Sequence, residues 1–247
     1  MKYFIIFFFI LFPVSLFASC PRYGWDETFV VKKINDGDTV TLENGRLVRF
    51  IGIDTPEINY RNLSKSEPYA LEAKALLERY IRPGDKLKLL YDKTKQDKYG
   101  RILAYVYTKT GRNLALLQLK SGLAKHWVIG KNDLLWRCFQ DTERQARLRK
   151  KAVWSDFDSL NASRLTKSEK GYVYVSGRVT NIELSKKGMI FVLDKKLSVS
   201  IRTTKLKVFK ENNIDIHLYD KLLLSGKLFF SKGKPKMTLY HPAQILP

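Results

Sequence analysis

The chain has 247 residues, 45% of them hydrophobic, enough for one large domain or two small ones, which excludes a disordered tail. Its 45 Lys and Arg against 24 Asp and Glu give a formal charge of +21, far more than solubility requires, so polyanions are the expected partners. The basic residues are spread along the chain among Tyr, Phe and Trp rather than gathered on one amphipathic helix, which favours nucleic acid over an anionic membrane surface.

Met1-Lys2 make a short positive start, residues 3–12 are almost continuously apolar, and Pro13 breaks the run. Leu16 and Ala18 stand at the −3 and −1 positions of a cleavage site. An apolar stretch of about fifteen residues is short against the roughly twenty that span a bilayer as a helix. Residues 1–19 therefore read as a secretory signal peptide, and the mature chain begins near Ser19 or Cys20, exported to the periplasm or beyond. Two readings compete for Cys20. It pairs with Cys138, the other cysteine, or it carries lipid and anchors an envelope protein whose charge serves adhesion to anionic surfaces. Phe17 stands where lipid-attachment motifs prefer Leu, which favours the disulfide. Membrane association is expected only if Cys20 is lipidated, and no stable protein partner is implied.

Residues 28–34 form a β-branched apolar run that stops at the turn cluster Asn35-Asp36-Gly37-Asp38, and residues 39–42 resume the strand pattern. Asn44-Gly45 is a hairpin signal, and residues 46–53 read as a third strand ending at Asp54-Thr55-Pro56-Glu57. After Pro68, the spacing of Ala70, Ala73, Leu76, Leu77 and Tyr80 predicts a helix over 69–80 that Pro83-Gly84 ends. Residues 86–91 and 102–107 read as two more strands, with further helices at 113–121 and 133–151. Five strands with a helix between the third and fourth is the layout of an oligonucleotide-binding (OB) barrel. This α+β, mainly β domain runs from 20 to 154. Residues 155–170 are polar without apolar period and read as a linker. From 171 to 247 the pattern is β throughout, with strands at 172–180, 189–194, 197–202, 221–229 and 236–240 and a short helix at 209–212. That is a second, smaller OB-like barrel.

The polar residues of the first domain cluster at strand ends. Asp38 and Asp54 are hard oxygen donors that a meander can bring together, suited to Ca²⁺ or Mg²⁺ rather than zinc. An Asp in a DG turn is also ordinary turn chemistry. Arg49 lies inside the apolar strand Leu47-Val48-Arg49-Phe50-Ile51, where a charge is costly unless it faces a carboxylate or a ligand. Arg49 and Arg101 suit phosphate oxygens, and structural ion pairs with Asp54 or Glu57 are the competing reading. His126, His217 and His241 are isolated.

Three blocks occur in order: Asp36-Gly37-Asp38-Thr39, then Val48-Arg49-Phe50-Ile51-Gly52-Ile53-Asp54-Thr55-Pro56-Glu57, then Asp97-Lys98-Tyr99-Gly100-Arg101. Together they resemble the signature of the thermonuclease (staphylococcal nuclease-like) family over residues 28–154. The resemblance implies a Ca²⁺-dependent nuclease acting on DNA or RNA. It implies that Asp38 and Asp54 bind Ca²⁺ by side chain and Thr55 by its carbonyl. Glu57 would be the general base, Arg49 and Arg101 would contact the scissile phosphate, and Tyr99 would bond a neighbouring phosphate oxygen, leaving 3′-phosphate products. Lys98, beside Tyr99, is a candidate phosphate contact, and the competing reading is an ordinary solvated lysine in a polar turn. After Gly122-Leu123-Ala124-Lys125, where the family's secreted prototype carries base-flanking tyrosines, this chain has His126-Trp127-Val128-Ile129-Gly130, so Trp127 is the candidate stacking residue. The alternative activity is binding of nucleic acid without cleavage, against which the intact acid and arginine set argues.

Residues 171–247 hold 14 Lys and Arg against five Asp and Glu. With Tyr172, Tyr174, Phe191, Phe229 and Tyr240 they read as a module that binds nucleic acid, although each aromatic taken singly is as readily barrel filling.

Overall fold

The structure, a computed structural model, describes residues 20–247 except Arg22 and Ile129; the expected signal peptide at 1–19 lies outside the described residues. Strands β1 (Glu27–Ile34), β2 (Thr39–Leu42) and β3 (Leu47–Phe50) form the expected meander. The expected third strand over 46–53 is broken. Gly52 takes φ +86°, and β4 (Gly52–Asp54) leaves the barrel. A Cβ on Gly52 would lie 2.6 Å from the Phe139 ring, so only glycine permits this bend against that ring.

Helix α1 (Ala70–Glu78) follows, then β5 (Lys86–Leu90), β6 (Ile102–Thr108) and α2 (Leu114–Ser121). A closed barrel results in the order β1-β2-β3-β6-β5, with β3 and β6 parallel and β5 returning to β1. Its core is the alternating inward set, including Val31, Val40, Leu42, Val48, Leu87 and Val106, against which α1 sets Leu77. Strand β7 (Lys125–Trp127) pairs with β4, and α3 (Trp136–Leu148) covers that pair with Phe139, which is fully buried.

The stretch expected to be a linker is built into the second unit. Strand β8 (Leu160–Asn161) pairs in parallel with β9 (Gly171–Ser185), and Ala162 and Leu165 enter the second core. These apolar residues make separate contacts in a non-repeating segment, which leaves no period to read. Strands β10 (Gly188–Leu193) and β11 (Leu197–Arg202), helix α4 (Thr203–Glu211) and strands β12 (Lys221–Ser231), β13 (Lys234–Leu239) and β14 (Ile245–Leu246) complete the chain. The order β9-β10-β11-β13-β12 closes through pairing of β12 with β9, and β8 and β14 are added edges. Both barrels have a helix between their third and fourth strands and a parallel pairing of third with fifth. The helix expected at 209–212 is the end of the longer α4. No helix among the described residues is long and apolar enough to cross a membrane.

One face of α3 belongs to the first barrel and the other meets the second. Gln140 Nε2 donates to the carbonyls of Ala243 (3.1 Å) and Ile245 (2.9 Å), and Arg147 donates to that of Pro247. Cys138 on the same helix is joined to Cys20 by a disulfide with a Cα separation of 5.4 Å.

Glu143 of α3 is 2% exposed and accepts the His126 N–H at 2.7 Å, while His126 Nδ1 meets the Gly52 carbonyl at 2.7 Å. Burial raises the Glu143 carboxyl to about 7, against the lowering effect of that N–H and of Arg147; burial lowers His126 to about 4.

Two measurements follow from this packing. The disulfide closes a loop with a sequence separation of 118, so its reduction is expected to lower unfolding free energy by about 3–5 kcal/mol in urea denaturation with and without dithiothreitol. The Glu143 value is raised on folding, so the folded state binds more protons and the stability this group contributes falls as pH rises from about 4.5 to about 7. Relative to Glu143→Gln, the natural protein should lose on the order of 2–3 kcal/mol across that window. The His126 contribution runs the opposite way and is common to both proteins. A pH-independent difference between the two would refute the assignment.

Candidate active site

The turn before β2 is held from three sides. Asp38 N–H donates to Asp36 Oδ1 at 3.0 Å, which closes the turn locally. A Cβ at Gly37 would sit 2.6 Å from the Ala73 Cβ and 2.9 Å from the Thr55 side chain, so the turn lies flat against α1 because it carries glycine there. Gln118 of α2, with no exposed surface, donates from Nε2 to the carbonyls of Gly37 (2.8 Å) and Ala73 (2.7 Å).

Asp38 is therefore fixed and buried. Its Oδ2 accepts the Thr55 N–H at 2.9 Å and hydroxyl at 3.0 Å, and its Oδ1 accepts the Thr39 hydroxyl at 3.0 Å. Arg49 comes from β3, 6% exposed, and pairs through Nη1 with Asp38 and through Nη2 with Asp54 at 2.7 Å. The bend at Gly52 is what brings Asp54, at the end of β4, back towards the guanidinium. Asp38, Arg49, Asp54 and Thr55 thus meet directly.

Charge is unbalanced here. Burial, then the neighbouring Asp38 carboxylate, raises Asp36 to about 6; burial raises Asp54 to about 6, with Arg49 opposing and Asp38 and Glu57 adding. Glu57 is raised by partial burial and then by Asp38, with Arg49 opposing. Asp38 and Asp54 pair with the buried guanidinium, and Asp36 and Glu57 lie within electrostatic reach of Asp38. Such a donor set, all oxygen and short of positive charge, fits a hard divalent cation. Asp38, Asp54 and the Thr55 carbonyl are the groups that would hold it. No cluster of three or more His, Cys, Asp or Glu side chains in a metal-holding arrangement occurs among the described residues, so water would fill much of the six to eight oxygen positions that calcium takes.

Arg101 sits on the tight turn 97–101. Its Nε donates to Asp97 Oδ2 at 2.7 Å, and the backbone N–H groups of Arg101 (3.0 Å) and Tyr99 (2.9 Å) donate to Oδ1. Burial alone would raise Asp97, but these bonds hold it below the usual carboxylate range. Arg101 lies within electrostatic reach of Glu57. Tyr99 is 73% exposed, with the Lys98 ammonium 4.9 Å and the Arg101 guanidinium 5.7 Å from its ring centre. Trp127 is not part of this cluster. It lies on β7 opposite Gly52, with its ring 5.4 Å from that of Tyr172.

Three contributors were not singled out from sequence. Asp36 adds the fourth carboxylate, Gln118 holds the turn, and Glu67 Oε2 accepts the Glu57 N–H at 2.9 Å. Asp36 was legible as part of the DGD motif. A polar residue at an apolar position of α2 was the one available sign of Gln118. Tyr60, whose hydroxyl donates to the Asn35 carbonyl, ties the 57–68 loop to the same turn. A cavity of about 410 Å³ opens beside Asp54, walled by Glu67, Tyr69, Lys125 and Phe157.

The family described as "Staphylococcal nuclease homologue" matches residues 47–156, which include Arg49, Asp54, Thr55, Glu57 and Arg101. The chain is 33% identical over 135 residues to the thermonuclease of Staphylococcus hyicus, spanning 53% of this chain and 78% of that protein. It is 31% identical over 132 residues to the thermonuclease of Staphylococcus intermedius, 52% of this chain and 76% of that one. It is 38% identical over 125 residues to the SPbeta prophage-derived endonuclease YokF of Bacillus subtilis, 49% of this chain and 41% of that protein. Each match covers about half of the chain.

The Gln118 clamp gives a direct test of what positions Asp38. Gln118→Leu leaves two buried carbonyls without their donor and is expected to cost about 2–4 kcal/mol in chemical denaturation. A loss below about 0.5 kcal/mol would show that the turn holds itself.

Proposed function

This chain belongs to the staphylococcal nuclease homologue family, and from that premise we propose that it is a Ca²⁺-dependent nuclease hydrolysing phosphodiester bonds of DNA, RNA or both. The observation that carries the proposal is buried Arg49 paired with Asp38 and Asp54, with Asp36 and Glu57 within electrostatic reach of Asp38 and Arg101 within reach of Glu57. Calcium held by Asp38, Asp54 and the Thr55 carbonyl would neutralise charge on the phosphoryl oxygens.

Glu57 is the proposed general base. Its affinity for a proton is raised by its surroundings, which suits it to accept one from an attacking water. The water oxygen bonds to phosphorus as the bond to the 5′-oxygen breaks; that oxygen leaves and takes up a proton, and the phosphate stays on the 3′ side. Arg49, fixed by Asp38 and Asp54, and Arg101, held at Nε by Asp97, present positive charge to the equatorial oxygens of the five-coordinate phosphorus. Tyr99 and Lys98, on the same exposed turn as Arg101, are proposed to contact neighbouring phosphates. The second barrel is proposed to hold the polymer, on the strength of its basic excess and exposed Tyr172, Phe229 and Tyr240; Phe191, by contrast, is fully buried in its core.

Export to the periplasm or medium is proposed as well. It is supported by the apolar leader in the sequence and by the Cys20–Cys138 disulfide, which persists in oxidising compartments and occupies the thiol that lipid attachment would need.

The test uses the mature protein with single-stranded DNA, duplex DNA and RNA, in Ca²⁺ or EGTA. Cleavage is expected only with Ca²⁺, with 3′-phosphate ends, and to fall on the order of 10²–10⁴-fold in Glu57→Gln and at least 10²-fold in Arg101→Ala. Polymers that are bound but left intact under every divalent metal would replace the nuclease with a nucleic-acid-binding protein.

A further inference from the structure

A groove of about 460 Å³ runs between β7 and the second barrel. Trp127 and Tyr172 line it with rings in contact, tilted 41° to each other, and Tyr240 lines it from the segment after β13. All three keep much of their surface in water, at 38%, 47% and 53% exposure. Lys205 and Lys227 lie along the same groove.

Its place relative to the carboxylate site follows from the β4–β7 ladder. Asp54 faces Lys125, and Gly52 faces Trp127, two residues along. Two residues of strand are about 7 Å, close to the spacing of successive phosphates on an extended single strand. Trp127 therefore lies two residues along the β4–β7 ladder from the Asp54–Lys125 pair, and the groove it lines continues onto the second barrel. Other aromatics of this junction are already used: Tyr174 packs edge-on to Trp154 and Phe157, at 5.7 and 5.2 Å. Trp127, Tyr172 and Tyr240 keep more of their surface exposed, with Tyr172 also meeting Tyr174 edge-on at 6.5 Å, and Lys205 and Lys227 line the same groove.

Ring faces take unpaired bases and ammonium groups take phosphates, and the two alternate in the same way on a single strand. A duplex offers its phosphates but keeps its bases stacked inside. We propose that this groove is an extended subsite for single-stranded nucleic acid, in which bases beyond the scissile phosphate stack on Trp127, Tyr172 and Tyr240 while Lys205 and Lys227 hold the backbone. The proposal rests on the nuclease reading for the position of the scissile phosphate, but strand binding is measurable without cleavage.

The test uses the full mature chain carrying Glu57→Gln, in EGTA, titrated with labelled 12-nucleotide single strands of DNA and of RNA and with a 12-base-pair duplex. Trp127→Leu, Tyr172→Leu and Tyr240→Leu, each checked for an unchanged melting temperature, are expected to weaken single-strand binding about tenfold apiece. Duplex binding should change less than twofold. Lys227→Glu should weaken single-strand binding and flatten its salt dependence. Should a Trp127 or Tyr172 variant fail to fold, Tyr240→Leu and Lys227→Glu carry the test from the opposite wall. Single-strand affinity unaltered in the folded variants, equal losses for duplex and single strand, or no single-strand binding by the parent would each overturn the groove. If the variants weaken binding as expected while the natural protein cleaves nothing, the groove stands and the nuclease reading fails.

Discussion

Arg49 is an always-charged side chain placed on a barrel strand with almost no exposed surface, and a guanidinium there is tolerable only with its charge answered. Asp38 and Asp54 answer it, so the barrel's stability and the architecture of the site depend on the same contact. Each carboxylate has its own chain of support. Asp38 depends on Gly37 lying against α1 and on Gln118 bridging that turn to the helix. Asp54 depends on the bend at Gly52, where the Phe139 ring of α3 leaves no room for a side chain. Adding Asp36 and Glu57 tips the balance to negative. The site meets that excess by holding protons more tightly, and a divalent cation would meet it in another way.

The two barrels reach one topology with different sequences. What is shared is the backbone plan, a helix between the third and fourth strands and a parallel pairing of third with fifth. Only the first barrel carries the buried arginine and its carboxylates. The second sets basic residues and open rings along the edge where the two meet. Architecture and chemistry are thus separable here, with the chemistry carried by a few strand-end residues.

The parts of this arrangement that could be read in the sequence are those with a local cause. Asn44-Gly45, Pro83-Gly84 and the alternating runs place turns and strands because their backbone preferences act within a few residues. The charge inside Leu47-Val48-Arg49-Phe50-Ile51 pointed to the site because burying it needs a partner. The break at Ile51 was not legible, since Gly52 only permits a bend and the ring packed against it, Phe139, lies 87 positions further on. Gln118 escaped for the same reason: nothing nearby in sequence reveals that the carbonyls of Gly37 and Ala73 will lie within its reach. The segment 155–170 looked like a tether because its apolar residues follow no period, yet Phe157, Ala162 and Leu165 are each packed by a different neighbour. Trp127 stood out as a departure from the resembled pattern, but its partner Tyr172 lies on the other barrel, and no sequence spacing relates them.

Helix α3 serves both barrels, and this bears on what a protease could release. A fragment ending after Trp154 would retain the whole carboxylate site. It would also lose Phe157 and Tyr174, whose rings cover Trp154, and the Ala243 and Ile245 carbonyls that pair with Gln140. Trp136 would lose its contact with His241 as well. Such a fragment would expose two tryptophans and a half-buried helix face in concentrated solution, which favours self-association over a free-standing barrel. Cutting between the barrels would therefore uncover apolar surface of the first that the second keeps from water.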